Sequence, residues 1–399
     1  PLIEGDGNTS SPSQTITGAD GGSSTFRIKC ESSSDATIKN NLIEVGNAKG
    51  ILAISSSPEI DGNKITASSS ANIAIRGENT SFIVKNNDIE GAVEITSGSV
   101  NPQIDGNIQI TGIINISGAS TSVHIKNHLI TDPTHPDYAA HHGVAKETVL
   151  AYINFSASSN GAVQNNSFKS ISVSNKASVT IKNNYIFATD LLRAIDINDA
   201  TAHITNNYIE NIYTDSVHSW ATGIHMKDLT SYSTVANNIF YIYNTHSQSF
   251  GMYIRDADNG LRFFNNIIIV KAINSNAAHG ILIESITYTF SIYNNVFFSF
   301  GATDSYGIFA HSNSYINHIK NNYFQGFDYT YRDQTNIAEY ARNDRSPDPQ
   351  SLNFLYGDNE TGDYSHNYSD KDGAINFDFF DDSCFSSGDN FFNCNFRIN

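Results

Sequence analysis

Five short segments of the 399-residue chain bring together side chains that could do chemistry. They read Ala194-Ile195-Asp196-Ile197-Asn198, Gly223-Ile224-His225-Met226-Lys227, Gly251-Met252-Tyr253-Ile254-Arg255, Gly280-Ile281-Leu282-Ile283-Glu284 and Gly307-Ile308-Phe309-Ala310-His311. Their period-two alternation is that of a strand with one side buried. With the Ile, Met and Ala positions turned inward, stacked strands present two outward columns. One holds Asp196, His225 and Tyr253; the other holds Asn198, Lys227, Arg255, Glu284 and His311. That is a candidate base, two cations and carboxylates on one rigid face. Arg255 suits a planar carboxylate, because a guanidinium engages both oxygens. The plainer alternative is a set of cross-strand ion pairs that stabilises the sheet modestly.

Such columns exist only if successive strands stack in register, and a repeat supplies the means. The phrase Ile181-Lys182-Asn183-Asn184-Tyr185-Ile186 returns in twelve copies, about 25 residues apart. Its second Asn falls at Asn41, Asn63, Asn87, Asn107, His128, Asn166, Asn184, Asn207, Asn238, Asn266, Asn295 and Asn322. The residue three before this marker is always Ile, Val or Phe, and the residue two after it is apolar except at Gln109. A repeat of this length is the signature of a solenoid. The first Asn of each pair is expected to turn the chain with left-handed backbone, which explains Gly62 and Gly106 at that position. The second is expected to hydrogen-bond to its copies above and below.

The expected fold is therefore all-β: a parallel β-helix of about 12 coils with Asn-ladder turns over residues 1–326. A step of 38 residues after His128 marks an inserted loop at 131–150, whose His and Asp residues are a conceivable metal site or simply a solvated cover. Lengthened loops occupy 211–306 and contribute Trp220, His279 and Tyr306; longer loops on one side of a solenoid are where binding usually resides. Trp220, the only Trp, either stacks on a sugar ring or plugs its loop against the body. The compact early coils, with plain outward residues, read as scaffold. Residues 327–399 read as a C-terminal cap or tail, since an open β-helix end exposes strand edge and core.

This chain resembles the right-handed, single-stranded parallel β-helix proteins of the pectin lyase-like superfamily, in their bacterial secreted or surface form. The resemblance implies that the outward face over these strands engages an extended polysaccharide. It also assigns roles: Lys227 as base, Arg255 as carboxylate binder, Tyr253 or His225 as acid, and Asp256 or Glu284 as a Ca²⁺ ligand. Asp196, Asn198, Trp220, His279, Tyr306 and His311 would contact the polymer. Binding without cleavage is the first expectation. A lyase cleaving uronic-acid polymers by β-elimination is the second, and a non-catalytic structural or adhesive surface protein the third. The paired-aspartate motif of the polygalacturonase-like hydrolases has no counterpart here.

Composition narrows the partners. With 23 Lys and Arg against 40 Asp and Glu, the net charge of −17 argues against nucleic acid or an anionic membrane. No apolar run approaches the 18 or so residues of a membrane span. Cys384 and Cys394 are close enough to be bridged, leaving Cys30 over. The chain opens in mid-repeat, so the expectation is that a signal sequence, a lipid-attachment segment or an N-terminal cap has been removed.

Overall fold

In the computed structural model, residues 26–333 are described apart from short stretches and most of 130–149, together with the strands Leu2–Glu4 and Thr15–Ile16. The inserted loop, the tail beyond Asp333 and the pair Cys384–Cys394 lie outside the described residues, apart from a small antiparallel pairing of Tyr138–Ala139 with Val144–Ala145. The chain is a parallel β-helix. Apart from that pair, the strands form one 35-stranded sheet wound into coils. A typical coil carries three strands, Ser178–Lys182, Tyr185–Thr189 and Arg193–Asn198, and the next coil repeats them as Thr201–Thr205, Tyr208–Tyr213 and Trp220–Lys227. Each strand pairs in parallel with its counterpart one coil away, making three ladders along the axis. The third ladder continues through Tyr329–Asp333, a little beyond the expected boundary at 326. No described helix is long and apolar enough to cross a membrane.

The repeat phrase forms the corner between the first and second ladders. Its first residue takes left-handed backbone wherever it is described, with φ of 54° to 64° from Asn40 and Gly62 through Asn265. Its second residue is buried at every one of the marker positions. There the amides form a continuous ladder. Asn184 donates through both its backbone N and its Nδ2 to Asn207 Oδ1, each at 2.9 Å, and Asn207 repeats this toward Asn238 at 2.9 Å. Asn207 Nδ2 also donates to the carbonyls of Ile181 and Thr205, both at 3.0 Å. The buried corner is thereby satisfied without water. Inside it stack the apolar columns, Ile181, Ile204, Val235 and Phe263 among them, all fully enclosed. Each such side chain contributes roughly 1.5–3 kcal/mol of burial.

Glycines mark a second constraint. A Cβ on Gly223, Gly251 or Gly280 would strike the carbonyl of the next glycine in the stack and, from the other side, inward rings or methyl groups. The Gly-Ile phrase is thus a close approach between coils.

His128 is the one ladder position that is not Asn. Its Nε2 accepts from Asn107 Nδ2 at 3.1 Å and its Nδ1 donates to Asn166 Oδ1 at 2.8 Å, an arrangement open only to neutral imidazole. Burial lowers its pKa to about 4, against the smaller opposing influence of Asn166 and Asp105.

Two outcomes follow. Asn207→Ala strands donors of Asn184 and costs about 3 kcal/mol in chemical denaturation. For His128, the unfolded chain binds a proton near pH 6.5 that the folded chain refuses until about pH 4. Its contribution is therefore intact above pH 6.5 and declines by about 3 kcal/mol as the pH falls to 4. His128→Asn flattens that part of the stability–pH curve; an unchanged slope would show that His128 does not set it.

Candidate functional site

The third ladder positions the candidate side chains, because every residue on it meets its counterpart one coil away, about 4.8 Å distant. Asp196 lies opposite His225, His225 opposite Tyr253, Tyr253 opposite Leu282 and Leu282 opposite Phe309. Beside them Asn198, Lys227, Arg255 and Glu284 form the second column, and His311 donates its backbone N to Ile283 O at 2.7 Å at the end of the strand that follows. Both expected columns are present.

Their surroundings differ from a simple open face. His225, Tyr253 and Leu282 are only 2%, 5% and 8% exposed, although they point away from the core. An aromatic layer encloses them. Phe250, His279, Tyr306 and Tyr329 follow one another in register alongside, with ring centroids 5.3 Å apart between Phe250 and His279 and 5.2 Å between His279 and Tyr306. Trp220 lies 6.2 Å from Phe250 and 5.7 Å from Tyr253, half-buried against these two rings. The Tyr306 hydroxyl donates to Asp304 at 2.6 Å. Trp220, His279 and Tyr306 are members of this packed layer, not a row of free stacking platforms. Alternation along a strand reveals which way a side chain points. It does not reveal what lies over it.

Asp196 is the electrostatic centre. It accepts from His225 Nδ1 at 2.7 Å and from Arg193 at 2.9 Å. Burial opposes its ionisation, but the bonds and charges of His225 and Arg193 outweigh that and hold its carboxyl below the usual range. His225 Nε2, on the other side of the ring, is buried with no hydrogen-bond partner. The Tyr253 ring lies 5.2 Å from that imidazole, and its hydroxyl donates to Glu284 at 2.6 Å. Burial and Glu284 push the Tyr253 phenol up to about 12.

The cations stand on the open margin. The Lys227 and Arg255 side chains are 29% and 40% exposed, and each pairs with the next residue in sequence, Asp228 at 3.3 Å and Asp256 at 3.5 Å. Asp199, Asp228, Asp256 and Ser285 all take left-handed backbone, φ 48° to 54°, so these aspartates turn the chain at the end of the strand. Asp256 and Glu284 were the expected Ca²⁺ ligands. Asp256 turns the chain against Arg255, Glu284 holds Tyr253, and among the described residues no three His, Cys, Asp or Glu converge on one point.

Sequence reasoning passed over the upstream half of the same face. The first column runs back from Asp196 to Ser172, Asn154, Asn115 and Glu94. Among the described residues no comparable layer covers it here: Ile113 and Tyr152 in the neighbouring column are 48% and 36% exposed. The signal was the alternation Tyr152-Ile153-Asn154-Phe155, but the 38-residue step and the missing Gly-Ile phrase hid its alignment. Arg193 was missed for a similar reason, lying one residue before the aligned segment.

No family model matches this chain, and neither a curated protein nor a solved structure matches it.

Asp196→Ala leaves His225 Nδ1 without its acceptor inside the protein, at a cost of about 1–2 kcal/mol at pH 7. The charge-dependent part of that loss is complete above about pH 4 and disappears as the pH falls through the lowered folded value. Thermal unfolding of both proteins at pH 7 and pH 3 checks this. An equal difference at the two pH values would show that the carboxylate charge contributes nothing.

Proposed function

We propose that this protein binds an extended acidic polysaccharide along the outer face of its third ladder, and that it does so without cleaving it. One observation carries the reading. Lys227 and Arg255 occupy adjacent coils at the exposed margin of a flat, unbroken face, and present two cations about 4.8 Å apart along the axis. An extended chain lying along that axis meets both in succession. Arg255 takes a carboxylate through its planar fork and Lys227 acts as a point charge. The resemblance to the pectin lyase-like β-helices supports a glycan as the occupant, as does an Asn-, Ser- and Thr-rich composition suited to a secreted or bacterial cell-surface protein.

Burial favours binding over the lyase alternative. β-Elimination by this set would use Lys227 to remove the proton α to the carboxylate and His225 or Tyr253 to protonate the leaving oxygen. His225 is sealed, and Tyr253 has its hydroxyl committed to Glu284. Neither reaches a substrate on the open margin in this arrangement. The adhesive reading shares the same face and differs only in taking a protein as partner.

A binding assay against a panel of uronic-acid polysaccharides tests the proposal, with absorbance at the unsaturated-uronate band followed in parallel. The expected result is saturable binding that weakens as salt is raised, falls about ten-fold in Lys227→Ala and Arg255→Ala, and produces no absorbance. Growth of absorbance that Lys227→Ala abolishes would establish the lyase instead. No binding to any acidic glycan would sink both readings and leave the adhesive one.

A further inference from the structure

The upstream half of the face carries a second kind of lining. Asn115 and Asn154 sit opposite one another on consecutive coils, with Asn154 Nδ2 donating to Asn115 Oδ1 at 2.8 Å. That bond leaves Asn115 Nδ2 and Asn154 Oδ1 without a further partner among the described residues, and the hydroxyls of Ser170 and Ser172 have none either. In the column alongside, Ile113 lies opposite Tyr152 and Tyr152 opposite Ser170. The result is a strip of amide and hydroxyl groups next to a strip formed by an exposed aromatic ring and an aliphatic chain.

Charge sets this stretch apart from the Lys227–Arg255 margin. Its lining is uncharged, and the carboxylates at its two ends are neutralised within the protein. Glu94 pairs with Arg76 at 3.4 Å, and Asp196 is held by Arg193 and His225. A uronate would find no cation along this stretch, and the arginines at its two ends are already paired with Glu94 and Asp196. A neutral sugar presents an apolar C–H face to an aromatic ring and hydroxyls to amides and serines, which matches both strips. A protein partner would be expected to meet a broader apolar centre than Ile113 and Tyr152 provide.

We infer that Asn115, Tyr152, Asn154, Ser170 and Ser172 form a subsite for uncharged sugar units, so that the polymer bound along this face is a heteropolysaccharide. The inference rests on the acidic-glycan reading above and adds the identity of the neighbouring units. Asn154 lies three coil steps before His225, whose strand carries Lys227. At about 4.8 Å per step Asn154 is roughly 14 Å, and the nearer Ser172 roughly 10 Å, from the coil that carries Lys227, and the acidic subsite follows along the axis. The aromatic layer that starts at His225 closes the first column at that junction, so a chain lying on the upstream strip continues along the margin where Lys227 and Arg255 stand.

Titration of the intact protein with three probes tests this: polygalacturonate as a uronate homopolymer, galactan as a neutral one, and a polymer in which uronates alternate with neutral sugars. The alternating polymer is expected to bind most tightly. Tyr152→Ala and Asn154→Ala should each weaken it about ten-fold while leaving the uronate homopolymer within two-fold, and Tyr152→Trp should retain binding. Thermal midpoints of the variants, expected near that of the parent because Tyr152 is exposed and Asn154 gives up only one part-buried hydrogen bond, guard against a folding artefact. If Arg255→Ala weakens the alternating polymer and the Tyr152 and Asn154 variants do not, the neutral subsite is wrong and the acidic-glycan reading survives. If no probe binds, both fall together.

Discussion

The buried asparagine ladder is the constraint on which the rest of this molecule depends. Each coil turns a sharp corner inside the protein, where backbone groups have no access to water and must be satisfied by the chain itself. An Asn at the marker position does this in both directions, accepting from the coil before and donating to the coil after. The consequence is geometric. Every coil has to bring one residue to the same point on the axis, whatever its length, and even the longest insertion, which falls between the marker His128 and the strand starting at Leu150, leaves that residue in place. Coil steps range from 18 to 38 residues while the marker residues stay stacked, and the slips that occur, as between Ile110 and Ile113, are local because the ladder resets the register at every turn.

That reset turns a one-dimensional sequence into columns. Once the corner is fixed, the third-ladder strand of each coil starts at a defined place, and residues far apart in the chain meet as neighbours. Asp196 and His225 are 29 residues apart and share a 2.7 Å hydrogen bond. Asn115 and Asn154 are 39 apart and do the same at 2.8 Å. The second pair spans the inserted loop, where the register slips by one residue between Ile110 and Ile113 and is regular again from Ile113 to Ile116. Even His128 keeps the ladder running, with one ring nitrogen accepting and the other donating, at the expense of acid tolerance.

Much of this was legible in the sequence because buried polar corners and apolar columns repeat with one residue type at each position. The left-handed first Asn, the glycines that replace it, and the pairing of Asp196 with His225 and of Lys227 with Arg255 could all be read from alignment of the copies. Coverage could not. Whether Tyr253 faces water depends on Phe250 and Trp220, which reach it from across a glycine in its own strand and from the preceding coil. Side-chain reach of that sort has no period. The open floor at Tyr152 and Asn154 was hidden for the opposite reason: its strand has the right alternation but lacks the glycine phrase by which the other strands were aligned.

The contrast between the two halves of the face bears on what it does. A site for proton transfer needs its acid and base exposed to the same substrate atom and held near the right pKa. Here the groups most suited to that work are withdrawn: Tyr253 is raised to about 12 by burial and Glu284, and His225 is packed behind the aromatic layer. What remains accessible is uncharged upstream and carries the paired Lys227 and Arg255 downstream. On the binding reading proposed above, such a surface would gain affinity by repeating a modest contact from coil to coil, with its selectivity in the order of those contacts along the axis. A β-helix keeps that order rigid, since moving one contact relative to the next would require slipping a rung of the asparagine ladder.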